Sequence, residues 1–196
     1  MLFPILFLIL INDLANSSAF LFFSLFADDT TIQISSSNLY ELYNTANREL
    51  KIVAEWFKAN KLTLNISKTK YILFRKSDMF VDFKNLHLSI DACTIERIGQ
   101  DCRESSFKFV GIKLDEFLSW KDHILSLKSK LSSATFALSQ VKNILPEAIK
   151  LNIYNSLFRS HLEYCIVAWG NSQPTLLAQI YTLQKKSTQT CRWAEL

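Results

Sequence analysis

The chain has 196 residues, of which 49% are apolar and 20% charged, and its formal net charge is +4. This balance fits one domain, or one domain with a small appendage, and excludes a disordered, collagen-like or strongly charged protein. With only three glycines, the chain can form neither a P-loop nor a dinucleotide-binding fingerprint.

The four cysteines form no CxxC pair, and no histidine lies at zinc-ligand spacing from them. We therefore expect reduced thiols and an intracellular protein, in the cytoplasm or nucleus and not secreted. The thiols are Cys93, Cys102, Cys165 and Cys191.

The first eleven residues, MLFPILFLILI, carry no polar side chain. This run suits the core of a signal peptide, but no Lys or Arg precedes Arg48, whereas a signal peptide begins with positive charge. A second apolar run, 19–26, follows at once. We therefore predict a buried helix over residues 2–14 and a buried strand over 19–27. A chain that begins inside its own core is expected to lack a preceding segment.

Two adjacent carboxylates, Asp28 and Asp29, separate this apolar strand from a second strand that alternates over residues 30–35. The pattern predicts a hairpin with an acidic tip. Adjacent carboxylates repel each other unless a cation binds them, and a divalent metal offsets that repulsion. A solvated Asp-Asp turn is the alternative, but an apolar strand that leads into the pair favours a cleft.

Asn38 and Glu41 predict the capped start of an amphipathic helix that ends near Asn60. Strands are predicted over residues 71–74, 86–90 and 107–114. Within the last of these, Gly111 predicts a bulge or a close backbone approach.

The final third of the chain changes to a helical pattern. Apolar residues from Ile124 to Leu145 alternate in steps of three and four, which predicts one long helix. Pro146 suits the first turn of a helix that runs to about Ser160, and a last helix is predicted over 176–192. The fold class is therefore α+β over residues 1–115, followed by a helical region over 116–196.

Six basic residues and no acidic residue lie between Trp56 and Ser77. Such a stretch can contact the phosphates of a nucleic acid; a solvated basic turn between helix and strand is the alternative, and it is the commoner one for charge runs. The basic residues are Lys58, Lys61, Lys68, Lys70, Arg75 and Lys76.

The segment Phe26-Ala27-Asp28-Asp29-Thr30 resembles the Phe/Tyr-Ala-Asp-Asp box of reverse transcriptases, and the resemblance is closest to the non-LTR (LINE-type, jockey-like) retrotransposon polymerases. Similar blocks occur in the family's order along nearly the whole chain. They are Pro4–Leu14, Trp56–Thr69, Phe109–Ile124, Ser160–Gly170 and Leu183–Lys186.

The resemblance implies a partial polymerase palm, an antiparallel hairpin sheet with packed helices, over residues 1–115. It implies a helical thumb and post-thumb segment over 116–196. In this family a primer 3′-hydroxyl attacks the α-phosphate of a nucleotide, and two metal ions stabilise the attacking and leaving oxygens. The implied partners are an RNA template, a DNA primer and deoxynucleoside triphosphates, with Mg²⁺, or Mn²⁺ in its place, as cofactor; no membrane is implied.

By the same resemblance Asp28 is a metal ligand, Asp29 supports the metal site, and Lys68 lies near the departing pyrophosphate. Gly111, Lys70, His123 and Lys128 are implied contacts to nucleic acid. These four come from the basic stretch, the hairpin that resembles the primer grip, and the long helix.

The family's other metal-binding aspartate precedes the block at Pro4 and is not among these residues. We therefore expect no polymerase activity from these residues alone. Two alternatives stay open: a nucleic-acid-binding remnant without chemistry, and a secreted or membrane-tethered protein with an apolar N-terminus. The apolar residues 2–14 and 19–27 also predict self-association through an exposed N-terminal surface.

Overall fold

The computed structural model describes residues 2–27, 29–91 and 93–190, with side chains from Ile5 onward. It is a mixed α+β structure that contains helices and four small two-stranded sheets in the described part of the chain. The described residues form two compact units. The first runs up to Tyr71 and includes Asp78–Arg97; the second comprises Ile72–Ser77 and the chain from Ile98 onward.

The first unit opens with helix α1 (Leu2–Asn12), and a short 3₁₀ helix follows over Asp13–Ser17. Strands β1 (Phe22–Phe26) and β2 (Asp29–Gln33) then form the predicted antiparallel hairpin. Helix α2 (Leu39–Ala59) follows, and Asn38 Oδ1 caps it by accepting from the backbone N–H groups of Tyr40 and Glu41 at 2.9 and 3.3 Å. The predicted cap and the predicted end at Asn60 are confirmed.

Helix α2 and the β1–β2 hairpin share one apolar core. The buried residues Ile11, Leu14, Leu21 and Val53 form its centre, and one face of β1 packs on it through Phe23 and Leu25. The opposite face of β1 leaves Phe22 and Phe26 exposed. The prediction of a fully buried strand was therefore wrong, because the hairpin has a core on one side only.

Helix α1 is present as predicted. Most of its apolar residues are not buried, contrary to the predicted core helix, but they form the exposed apolar N-terminal surface that was also predicted. Ile5, Leu6, Leu8 and Ile9 are between 53% and 67% exposed. Because α1 is apolar on all sides, contact with one core covers only the side that carries residues such as Ile11. The described part of the chain contains no helix both long and apolar enough to cross a membrane.

Short strands complete the sheets: β3 (Lys70–Ile72), β4 (Ser89–Ile90), β5 (Cys93–Thr94) and β6 (Glu96–Ile98). Strand β4 pairs with β5, and β3 pairs with β6. The predicted strands over 71–74 and 86–90 are both present in shortened form, whereas β5 and β6 were not predicted.

In the second unit, strands β7 (Ser106–Phe109) and β8 (Ile112–Asp115) form an antiparallel hairpin, and helix α3 (Lys121–Val141) follows it. The helix ends at Val141, before the predicted Leu145, and five members of the predicted stripe are buried in the core of this unit. They are Ile124, Leu127, Leu131, Ala134 and Leu138.

The remaining helices are α4 (Glu147–Ile153), α5 (Ser160–Glu163), α6 (Ile166–Trp169) and α7 (Pro174–Thr190). A six-residue π-helical segment, Tyr154–Arg159, joins α4 to α5, so the helix predicted from Pro146 continues as far as Glu163. Phe158 and Trp169 are buried against α3. The hairpin at 106–115 belongs to the same compact unit as these helices.

Candidate functional site

The first hairpin presents an acidic residue at an exposed tip. Asp29 opens β2, pairs with Phe26 across the two-residue connection, and is exposed. Ala27 occupies this connection with a φ of 54°, in the left-handed region that side chains other than glycine rarely adopt. Asp28, the implied metal ligand, lies outside the described residues. The structure therefore places one of the two predicted carboxylates at the predicted tip.

The described residues do not by themselves form a metal site. No group of three or more His, Cys, Asp or Glu side chains comes together anywhere in 2–27, 29–91 or 93–190 in a way that could hold a metal ion. Divalent cations such as Mg²⁺ need several oxygen ligands, and Asp29 supplies one exposed carboxylate. A metal at this hairpin therefore needs further ligands besides the described ones.

Lys68 lies in a tight turn after α2 that Asn65 organises. The Asn65 carbonyl accepts the backbone N–H groups of Lys68 and Thr69, both at 3.1 Å, and its side-chain Oδ1 accepts the Ser67 hydroxyl at 2.7 Å. An Asn side chain that bonds to the backbone following it is typical of such turns. The turn leaves the Lys68 side chain exposed.

Other members of the basic stretch are paired with carboxylates. Lys70 Nζ lies 3.2 Å from Glu96 Oε2, and Lys58 Nζ lies 2.7 Å from Asp91 Oδ1. In the second unit, Arg75 forms an ion pair with the buried Glu116. Three of the six basic residues thus have acidic partners. Each partner lies 26 to 41 positions further along the chain than the basic residue it pairs with.

The turn of the β7–β8 hairpin is built from Val110 and Gly111, whose φ values are 42° and 87°. Two consecutive residues with positive φ are characteristic of the tight turns that join antiparallel strands. The bulge predicted at Gly111 was therefore wrong, because the glycine lies in the turn between two strands rather than within one.

Tyr164 fixes this turn from outside the hairpin. Its hydroxyl donates to the Val110 carbonyl at 2.6 Å, and its own carbonyl accepts from the Trp169 indole N–H at 2.9 Å. A Cβ added at Gly111 would lie 3.0 Å from Tyr164 Cε1. The predicted close approach is thus present, and the neighbour in the structure is a side chain of the same unit.

His123 is buried in the first turn of α3, at 8% exposure. Its Nδ1 accepts from the backbone N–H of Lys113 at 3.4 Å, while its Nε2 is buried without a hydrogen-bond partner among the described residues. Burial lowers the pKa of the His123 imidazole, and the nearby Lys130 and Lys113 lower it further. His123 therefore favours its neutral form, and its Nδ1 contact leaves Nε2 as the N–H donor.

Lys128 lies on α3 and is half buried. Its Nζ donates to Gln179 Oε1 on α7 at 2.9 Å, so it links two helices of the second unit. Lys128 is not among the residues that line the pocket shared by Gly111 and His123.

Asp115 and Glu116 are buried structural residues that the sequence interpretation did not select. Asp115 accepts the backbone N–H groups of Phe117, Ser119 and Trp120 at 3.0 to 3.2 Å and so holds the loop that enters α3. Its bond to the N–H of Phe117, two residues on, is the Asx-turn pattern; it does not cap α3, whose N-cap is Trp120. The sequence interpretation also did not select Lys108, Lys113, His161 and Tyr164 as site residues; they line a pocket beside the β7–β8 turn.

The sequence model of the family described as reverse transcriptase (RNA-dependent DNA polymerase) matches residues 2–114. The match covers more than half of the chain and includes the whole β1–β2 hairpin, so the chain belongs to this family.

Within the family, the chain is similar to polymerases of non-LTR retrotransposons. It is 27% identical over 116 residues to the retrovirus-related Pol polyprotein from the type-1 retrotransposable element R1 of Nasonia vitripennis, a match that covers 59% of this chain and 33% of that protein. It is 23% identical over 194 residues to the RNA-directed DNA polymerase from the mobile element jockey of Drosophila funebris, which covers 93% of this chain and 20% of that protein.

The chain thus spans about a third or less of the length of these relatives. No solved structure matches it. The resemblance stated from the sequence motifs, to a LINE-type reverse transcriptase, is confirmed by the family match and by these relatives.

Proposed function

We propose that this chain supplies part of the palm and the thumb of an RNA-directed DNA polymerase from a non-LTR retrotransposon. Residues 1–115 are the palm portion and residues 116–196 the thumb and post-thumb portion. The observation that carries the proposal is the β1–β2 hairpin, which lies inside the family match and presents Asp29 at an exposed tip. Its substrates are an RNA template, a DNA primer and deoxynucleoside triphosphates.

In this proposal Asp28 and Asp29 contribute carboxylates to a divalent-metal site, and Lys68 lies near the departing pyrophosphate. An exposed carboxylate and an exposed ammonium group are available for these roles at Asp29 and Lys68. The bound metal supplies charge stabilisation at the reacting oxygens. The described carboxylates form no cluster of three, so the proposed site needs a further ligand besides the described ones, and we expect no polymerase activity from these residues alone.

Four residues are proposed to contact nucleic acid, and the contacts differ in what each requires. Gly111, in the β7–β8 turn, and His123 line the same pocket. Lys70 and Lys128 must release Glu96 and Gln179, respectively, before they reach a phosphate. An intracellular location in the cytoplasm or nucleus, without a membrane partner, follows from the proposed polymerase role.

Primer extension tests the proposal. The 196 residues replace the corresponding segment of a jockey-type polymerase, and extension of a DNA primer on an RNA template is measured with Mg²⁺. The chimaera is expected to be active, and Asp28→Asn or Asp29→Asn to lower its rate about 100-fold or more, because each removes a metal-site carboxylate.

Asp78→Asn is the matched control, since Asp78 is also exposed but lies outside the hairpin; its rate should not change. The proposal is contradicted if neither Asp28→Asn nor Asp29→Asn changes the rate of the chimaera. It is also contradicted if the 196-residue chain alone extends the primer.

A nucleic-acid-binding role without chemistry is the second candidate, and the lysines around the β7–β8 turn favour it. It predicts salt-dependent binding to nucleic acid together with an inactive chimaera.

A further inference from the structure

A cavity of about 210 Å³ lies in the second unit, between the β7–β8 hairpin and the helices beside it. Three lysines line it, and none of its lining residues is acidic. The polar lining comprises Lys108, Lys113, Lys130, His123, His161 and Tyr164.

The lysines are arranged at an electrostatic cost. Lys108 and Lys113 are direct partners across the two strands of the hairpin, and like charges in that position destabilise a sheet. Lys130, on α3, adds a third positive charge to the same cavity. Within the described part of the chain, none of the three forms an ion pair with a carboxylate.

His123 adds an unsatisfied donor to this cavity. Its Nδ1 already accepts the Lys113 backbone N–H, so in the neutral ring the proton is on Nε2. That Nε2 is buried and lacks a partner among the described residues, which is costly unless a ligand or water accepts its hydrogen bond. Burial lowers the pKa of His123, and the positive charges of Lys130 and Lys113 lower it further, so the ring favours the neutral form that carries this Nε2 proton.

Tyr164 and Gly111 form part of the cavity wall at the hairpin turn. The Tyr164 hydroxyl holds the hairpin turn at Val110, and both Tyr164 and Gly111 line the cavity. The anion-binding groups come from β7, β8 and α3, and the Tyr164 hydroxyl bonds to the turn that joins the two strands.

We propose that this cavity binds a phosphate group, with Lys108, Lys113 and Lys130 as the charged partners and His123 Nε2 as a buried donor. Phosphate oxygens accept charge-assisted hydrogen bonds and neutralise the facing lysines. The phosphate is either a backbone phosphodiester of a nucleic acid or a free phosphate ester. Which of these two sources supplies the phosphate rests on the proposed function. The presence of a phosphate site does not depend on that function.

Two binding measurements on the 196-residue chain test the site. In the first, NMR follows the His123 ring resonance during a titration with inorganic phosphate. In the second, fluorescence anisotropy measures the affinity for a short labelled single-stranded DNA at several salt concentrations, with and without a competing nucleoside triphosphate.

We expect inorganic phosphate to shift the His123 resonance. Lys113→Gln and Lys130→Gln should each weaken phosphate binding about fivefold or more, because each loses a charge-assisted contact. Each should also lower the slope of log affinity against log salt for DNA by about 0.7, the contribution of one phosphate contact on a single strand. Lys51→Gln is the matched control, because Lys51 is an exposed helical lysine on α2, away from this cavity.

The outcomes separate the sources and the proposals. If DNA competes with phosphate, and both lysine substitutions weaken DNA binding, the ligand is a phosphodiester. Phosphate and triphosphate binding that DNA does not displace identifies a free phosphate ester. If the Lys113→Gln and Lys130→Gln variants bind phosphate as tightly as Lys51→Gln does, the proposed site is wrong. It is also wrong if phosphate does not shift the His123 resonance. An inactive chimaera with intact lysine-dependent binding rejects only the polymerase role.

Discussion

The two hairpins of this molecule are supported in opposite ways. The β1–β2 hairpin is held at its base, where the Ser18 hydroxyl donates to Glu49 on α2 at 2.7 Å, and its tip at Ala27 and Asp29 is exposed. The β7–β8 hairpin is held at its tip, where Tyr164 contacts Val110 and Gly111. The comparison shows that a turn can be available to ligands or fixed by packing, even when both turns use positive φ values.

The largest expected effect is at the fixed tip. Gly111→Ala should destabilise the second unit by about 2 kcal/mol, because alanine is strained at a φ of 87° and its Cβ would lie 3.0 Å from Tyr164 Cε1. Hydrogen–deuterium exchange of peptides from the hairpin and from α5 measures the change.

Tyr164→Leu separates the two causes. In that background the ring is absent, so the cost of Gly111→Ala should fall to about 1 kcal/mol, the part that is due to positive φ. An unchanged cost would show that the tyrosine does not constrain the turn.

The opposite change is predicted at the exposed tip. Ala27→Gly should stabilise the first hairpin by about 0.5 kcal/mol, since glycine adopts a φ of 54° without the steric cost that alanine incurs. Exchange protection of the β1 and β2 amides should therefore increase.

Ala59→Gly is the control for this change, because Ala59 is the last residue of α2 and has no positive φ to relieve. It should not increase protection in the first unit. A loss of protection in Ala27→Gly would mean that packing, rather than strain, dominates at this tip.

The smallest expected effect is at the base of the first hairpin and depends on pH. The Ser18 hydrogen bond lowers the pKa of the Glu49 carboxyl below its ordinary value, and Arg48 contributes to the same shift. A lowered folded-state pKa stabilises the fold above the ordinary pKa of about 4.3, and this stabilisation is lost as the pH falls through the folded value.

Ser18→Ala should therefore destabilise the first unit at neutral pH, with a smaller loss once Glu49 is protonated. Urea unfolding at two pH values, followed by the far-UV signal, measures the difference. Ser67→Ala is the control, since its hydroxyl donates to the Asn65 amide oxygen rather than to a carboxylate. Its effect should be the same at both pH values.

The sequence predicted local features well where the cause was local. The Asn38 cap, the end of α2 at Asn60 and the buried stripe on α3 were all predictable, because capping and helical periodicity act over a few residues. The acidic hairpin was predictable for the same reason. The family followed from motifs that keep their order along the chain and is confirmed by the match to residues 2–114.

The tertiary structure decided features whose partners lie far apart in the chain. The exposure of α1 depends on how much of its surface the neighbouring core covers, and a uniformly apolar sequence does not specify that side. The pairing of Lys70 with Glu96, and the approach of Tyr164 to Gly111 over more than fifty residues, result from chain folding.

By itself, then, the sequence determined the α+β class, the hairpin with its acidic tip, the long helix and the family. Only the tertiary structure decided which charges are neutralised by a partner and which face a cavity without one. The physical reason is that capping and periodicity act between near neighbours, whereas compensation of a charge depends on distances that the fold creates.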